Sequence, residues 1–147
     1  MKIFWKATWL KFLPVILKNE NEDIVGEIKS WNKLVYQGAE YNFEFVPKPI
    51  SKAFTTNKIR VFKGLTEEVA EIIDPQWLRK IQIVVSSQEI FEMSPKLSSG
   101  ENYDVNHNNT KIGEFRERYF APTARGHLEL DESQVNNIPL IASVLYR

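Results

Sequence analysis

The chain of 147 residues contains no cysteine, which excludes a disulfide framework, a thiolate metal site and a cysteine nucleophile. Its two histidines, His107 and His127, are not at a metal-ligand spacing. The six glycines are scattered and form no phosphate-binding loop, and no G-x-S-x-G elbow presents a serine nucleophile. The sequence therefore predicts no metal, no cofactor and no catalytic residue, and we expect the protein not to be an enzyme.

The chain also lacks a surplus of charge of either sign and a long hydrophobic run. Lysine plus arginine and aspartate plus glutamate number 19 each, so no global field attracts nucleic acid. The longest apolar stretch, 138–146, is roughly half as long as a membrane span. Lys6 and Lys11 interrupt the apolar N-terminus, which has no signal-peptide cleavage site. We expect a single cytoplasmic domain over 1–147, with no nucleic-acid partner and no transmembrane segment.

What the chain does contain is a tetrapeptide that occurs three times. It reads VGEI from position 25, VAEI from position 69 and IGEF from position 112. The intervals are 44 and 43 residues, and a fixed period of this size indicates one structural unit used repeatedly. The small residue at the second position indicates close backbone packing or a β-bulge. The three glutamates, Glu27, Glu71 and Glu114, are predicted to face solvent on separate parts of the fold.

Each copy lies in a series of β-prone runs separated by turns rich in Asn, Gly and Asp, such as Gln37-Gly38. The series predicts four-stranded units at about 12–45, 57–93 and 101–130. The third unit lacks its fourth strand, and the N-terminal segment 1–11, with Ile3 and Trp5 alternating, can supply it. Three such units predict an all-β antiparallel barrel of about twelve strands.

A barrel of this size needs an interior filling, and the apolar segment 138–146 is the candidate. Pro139 is tolerated in the first turn of a helix and excluded from a central strand. Asn137 is a favourable N-cap residue directly before it. Because a helix that is apolar on nearly all sides is surrounded by protein, we predict a central hydrophobic helix that plugs the barrel.

These patterns together resemble the tubby C-terminal-like superfamily, which includes the tubby domain, the plant LURP-one-related proteins and the phospholipid scramblases. The resemblance rests on the repeated tetrapeptide, on Trp31/Lys33 and Trp77/Arg79 downstream of it, and on the terminal IPLIASVLY. It implies a compact barrel around a hydrophobic helix, and functions in phosphoinositide binding, membrane association or regulation of defence. No phosphoinositide-binding residues match one by one, and the lipidated cysteine-rich segment of scramblases is absent.

Two basic groups are the best functional leads in the sequence. One includes Lys52 and Lys58 around the loop 47–58, and the other consists of Arg116, Arg118 and Arg125. Strand alternation places Arg116 and Arg118 on one face, where guanidinium groups bind phosphate bidentately. Glu114 and Glu117 dilute this charge. The five cations are therefore either an anion- or lipid-binding site or a solvated strand face.

The function that the sequence favours is a non-catalytic binding module that acts through protein–protein interaction, for example as an inhibitor or immunity protein that blocks a toxin. A balanced net charge favours a protein partner over a membrane. The alternative is peripheral binding of anionic phospholipid or phosphoinositide head groups at the inner membrane face.

Overall fold

A computed structural model describes residues 1–8, 14–29, 32–46, 57–75, 80–96, 101–120 and 123–146. These contain twelve strands and a helical C-terminal segment. The strands are β1 (Lys2–Thr8), β2 (Val15–Lys18), β3 (Ile24–Lys29), β4 (Lys33–Tyr36), β5 (Ala39–Phe45), β6 (Asn57–Lys63), β7 (Glu67–Asp74), β8 (Ile81–Ser86), β9 (Glu89–Pro95), β10 (Glu101–His107), β11 (Thr110–Phe120) and β12 (Thr123–Leu130).

The strands form one closed antiparallel barrel in which every strand pairs with its neighbours in the chain. The barrel closes where β1 pairs with β12, from Lys2 opposite Glu129 to Thr8 opposite Thr123. The predicted fold, including closure by an N-terminal strand, is confirmed. Closure matters physically because it leaves no unpaired strand edge in the sheet.

Strand alternation explains the core. On β8 and β9 the residues Ile81, Ile83, Phe91 and Met93 are almost fully buried, whereas the residues between them face outwards and are half-exposed. The same period of two recurs on the other strands and directs one apolar face of each to the barrel interior.

The repeated tetrapeptide marks a β-bulge in each unit. The strand register skips one residue between Gly26 and Ile24, between Ala70 and Glu68, and between Gly113 and Lys111. The skipped residue is each time the first residue of the tetrapeptide, namely Val25, Val69 or Ile112. A bulge adds one unpaired residue and bends the strand, so the signature encodes three equivalent bends. The prediction of a bulge or close packing at the small residue is confirmed.

The hairpins also distinguish the two ends of the barrel. At one end, which we call the hairpin end, short turns join β2 to β3, β4 to β5, β6 to β7, β8 to β9 and β10 to β11. Gln37-Gly38 and Asn108-Asn109 both have two successive positive φ angles, as two-residue hairpin turns require. At the other end, which we call the open end, β1 finishes at Thr8 and β12 begins at Thr123.

The interior is filled from the C-terminus, as predicted. A 3-10 helix (Glu132–Asn137) leads into the helix α1 (Ile138–Ala142), followed by a second 3-10 helix (Ser143–Tyr146). The residues that are almost completely buried are Ile138, Ile141, Ala142 and Val144. The Ser143 hydroxyl, also buried, donates a hydrogen bond to the Leu140 carbonyl.

The prediction that Asn137 caps this helix is wrong. Its backbone is already helical (φ −94°, ψ −3°), and its side chain makes no capping hydrogen bond. Its amide donates instead to Gln134 Oε1 at 2.8 Å. The physical reason is that α1 continues directly from the preceding 3-10 helix, so no free helix start exists at this position.

Candidate anion-binding face

The predicted cations are divided over different parts of the barrel. Arg118 on β11 and Arg125 on β12 are directly opposite each other and both are exposed. Arg116 lies two positions away on the same outer face of β11. Lys58 lies on β6, six strands from β12 in either direction around the barrel, and Lys52 lies outside the described residues. The structure therefore brings the arginines together and separates Lys58 from them.

A further cation completes this group. Lys6 on β1 is opposite Arg125, so Lys6, Arg125 and Arg118 lie side by side across three neighbouring strands. We call these three residues the cationic row. None of them forms an ion pair within the described ranges. Directly opposite residues have Cβ atoms about 5 Å apart, and like charges at this distance destabilise a sheet.

Sequence reasoning missed Lys6, although the outward direction of its side chain was predictable. Burial of Ile3 and Trp5 on β1 directs Lys2, Phe4 and Lys6 outwards. What the alternation does not supply is the register that sets Lys6 against Arg125. That pairing joins residues from opposite ends of the chain.

An apolar side chain lies beside the cationic row. Phe4, the next outward residue of β1, is 40% exposed and is opposite Lys18 on β2 and His127 on β12. Its ring centroid is 5.8 Å from that of His127. Burial, together with the nearby cations Lys2 and Arg116, lowers the pKa of His127, so its imidazole favours the neutral form next to Phe4.

Within the described part of the chain, Arg116, unlike the three residues of the cationic row, is hydrogen-bonded to a carboxylate. Its Nε donates to Glu114 Oε2 at 3.1 Å, and a second guanidinium nitrogen contacts the same oxygen. Glu114 Oε1 also accepts hydrogen bonds from Lys111 at 2.9 Å and Lys96 at 3.0 Å. These hydrogen bonds lower the pKa of Glu114 to about 2. Arg116 therefore belongs to a charge network that also includes Asp104, which both lysines contact at 2.9 Å.

Glu117 does not dilute the charge of the outer face, because it points into the barrel. Trp5 Nε1 donates to Glu117 Oε2 at 2.7 Å. Gly126 lies between these two residues in the strand register, and a Cβ atom there would be only 2.5 Å from the Trp5 ring. The absence of a side chain at Gly126 thus lets the indole reach the carboxylate.

The remaining candidate groups do not converge. The three repeated glutamates are separated, as predicted: Glu27, Glu71 and Glu114 lie on β3, β7 and β11, four strands apart around the barrel. His107 stacks on Phe91 with ring centroids 4.4 Å apart. Within the described residues no group of three potential metal ligands is found. Among the described residues, the cationic row is therefore the candidate site that the strand register assembles.

Comparison with known proteins identifies no relative: no family model, no curated protein and no solved structure matches the chain. Trp31, Trp77 and Arg79, on which the tubby-like resemblance partly rests, lie outside the described residues. Lys33 lies at the start of β4, with its Nζ 3.5 Å from Glu40 Oε2. Among the described helices, none has the length and hydrophobicity of a membrane span.

Proposed function

We propose that this protein is a non-catalytic binding module that recognises another protein through the outer wall formed by β1, β12 and β11. The observation that carries the proposal is the cationic row, whose three charges lie on adjacent strands without an ion pair among the described residues. A wall selected for stability alone would alternate the signs of charge at these positions. Local conflicts of this kind concentrate at functional sites.

The composition of the wall supports a protein partner. Arginine and aromatic side chains contribute most of the binding energy in many interfaces, and here Arg118, Arg125 and Phe4 lie on one surface. An inhibitor or immunity protein that blocks a toxin is one form that such a module takes. Its proposed compartment is the cytoplasm.

Anionic phospholipid is the second candidate, because the same cations attract head groups. Each cation near an anionic membrane contributes about 1 kcal/mol, so the cationic row supplies about 3 kcal/mol in total. Stable membrane attachment needs a second signal besides a contribution of this size. A barrel around a hydrophobic helix is also the architecture that the tubby-like resemblance implies, and membership of that superfamily remains part of this second proposal.

Affinity capture from the native cell tests the proposal. The wild-type protein should retain a specific protein that the charge-reversed variant Arg118→Glu/Arg125→Glu loses. The matched control is Lys58→Glu/Lys63→Glu, which makes the same change of charge on β6 and should retain it. If no captured protein depends on the cationic row, the proposal fails. If liposomes containing phosphatidylserine float the wild type at low salt and not the first variant, the lipid candidate replaces it.

A further inference from the structure

We infer that the partner presents an acidic segment with an apolar side chain beside its carboxylates, and that this segment lies across β1, β12 and β11. The inference rests on the proposed function and assigns the chemistry of its ligand. The carboxylates would bind the cationic row and the apolar side chain would pack on Phe4.

The register of the wall defines the shape of the site. Lys6, Arg125 and Arg118 occupy one row across three strands, and neighbouring strands are about 4.8 Å apart. The cations therefore occupy a band about 10 Å long at the level of the backbone. Two adjacent guanidinium groups in this band suit carboxylates, which they bind through parallel N–H···O hydrogen bonds.

The band is bounded towards the hairpin end by charges that are already neutralised. Two rows away, Lys2, Glu129 and Glu114 lie side by side. Lys2 is paired with Glu129 at 3.3 Å, and Glu114 is surrounded by its three cations. The surplus of positive charge on this wall therefore lies in the cationic row and at the exposed Lys18 of the next row, in a zone between the open end and the neutralised charges. A narrow zone matches one segment of a protein better than the uniform charge of a membrane plane.

The row between the cationic row and this boundary supplies the apolar contact. Phe4 lies in this row between Lys18 and His127. Ile16 on β2 is directly opposite Lys6. A ligand made only of acidic residues would leave the Phe4 ring in water. Burying exposed aromatic surface adds affinity, so we expect the ligand to combine acidic and apolar residues.

Fluorescence anisotropy with three synthetic peptides tests this assignment. The first peptide has a leucine within a run of glutamates, the second replaces the leucine by serine, and the third replaces the glutamates by lysines. The wild-type protein should bind the first peptide most tightly at low salt, the second less tightly and the third not at all. Arg125→Gln should weaken binding of the first peptide at least about tenfold, as loss of a charge-assisted hydrogen bond predicts.

Two variants serve as controls. Lys58→Gln removes one positive charge from β6 and should leave the affinity unchanged. Phe4→Ala should abolish the preference for leucine over serine while retaining the preference for glutamate over lysine. Thermal unfolding of each variant checks that it is folded.

Equal binding of the glutamate and lysine peptides, or an unchanged affinity in Arg125→Gln, would overturn the inference. If the peptides fail while a captured protein still depends on the cationic row, the binding module stands and only the assigned ligand is wrong. If both experiments fail, the proposed function fails as well. Binding to phosphatidylserine vesicles without binding to the acidic peptide would assign the wall to lipid and reject the inference.

Discussion

Replacing Gly113 by alanine should destabilise the barrel strongly. A Cβ atom at this position would collide with the carbonyl oxygen of Glu129 on β12 and would lie 2.8 Å from Leu130 Cδ2. The equivalent position in the first unit is less crowded, because a Cβ atom at Gly26 would lie 2.8 Å from the Val35 carbonyl oxygen. The second unit already has Ala70 there, almost completely buried.

The geometry sets the size of the effect. Overpacking a core costs about 1–3 kcal/mol when side chains can adjust. At Gly113 the obstacle is the backbone of a paired strand, which cannot move without breaking its hydrogen bonds with β11. We therefore expect Gly113→Ala to lower the free energy of unfolding by about 3 kcal/mol, and Gly26→Ala to lower it by about 1–2 kcal/mol. For a chain of this size, 3 kcal/mol corresponds to a decrease in Tm of about 6–12 °C.

Urea denaturation followed by tryptophan fluorescence measures these differences. The control is Ala70→Gly, which introduces no clash and should cost only about 0.5–1 kcal/mol, because glycine weakens a strand. The expected order of loss is Gly113→Ala, then Gly26→Ala, then Ala70→Gly. If Gly113→Ala is as stable as the wild type, or if the order is reversed, close backbone packing is not the reason for the small residue in the signature.

Three further predictions concern the plug, the charge network and the cationic row. Ile141→Ala should lower the free energy of unfolding measured by urea denaturation by about 2–5 kcal/mol, because Ile141 is fully buried. Leu140→Ala should lower it less, because Leu140 is on the half-buried side of α1. Equal losses would contradict a central plug. The ionised Glu114 stabilises the folded state; this contribution is fully present at pH values above its ordinary pKa of 4.5 and should be lost as the pH falls towards about 2. Glu114→Gln should therefore flatten the acid side of a plot of Tm against pH. An unchanged acid side would refute the charge network. Arg125→Gln should raise the free energy of unfolding by about 0.2–1 kcal/mol at low salt, because it removes the repulsion between Arg125 and Arg118. Added salt should remove this gain. A loss of stability would instead show that the cationic row stabilises the fold.

Several elements of the fold were predictable because their signals are local. Alternation over a few residues defines a strand, and Gln37-Gly38 defines a hairpin turn whatever surrounds it. Pro139 and the apolar segment after it indicated a buried helix. The absence of a side-chain N-cap at Asn137 was not predictable in this way. Whether a residue starts a helix depends on the conformation of the preceding segment, and here a 3-10 helix precedes it.

The candidate site was only partly predictable. Alternation placed Arg116 and Arg118 on one face, which the structure bears out. The same alternation places Glu114 on the face of Arg116 and Glu117 on the opposite face, but it does not show that Glu114 binds Arg116 or that Glu117 accepts a hydrogen bond from Trp5. These contacts depend on the tertiary arrangement, because Lys96 and Trp5 reach the two carboxylates from distant parts of the chain.

By itself the sequence determined the repeat, the strands and the apolar plug, since each follows from periodicities within short segments. The tertiary structure alone decided which charges meet. Lys6 becomes the neighbour of Arg125 because closure pairs the first strand with the last. Arg118 joins them through the register of β11 and β12. Register is set by contacts between distant parts of the chain, and a shift of one residue in the pairing of one strand would turn the cation of that strand to the other face.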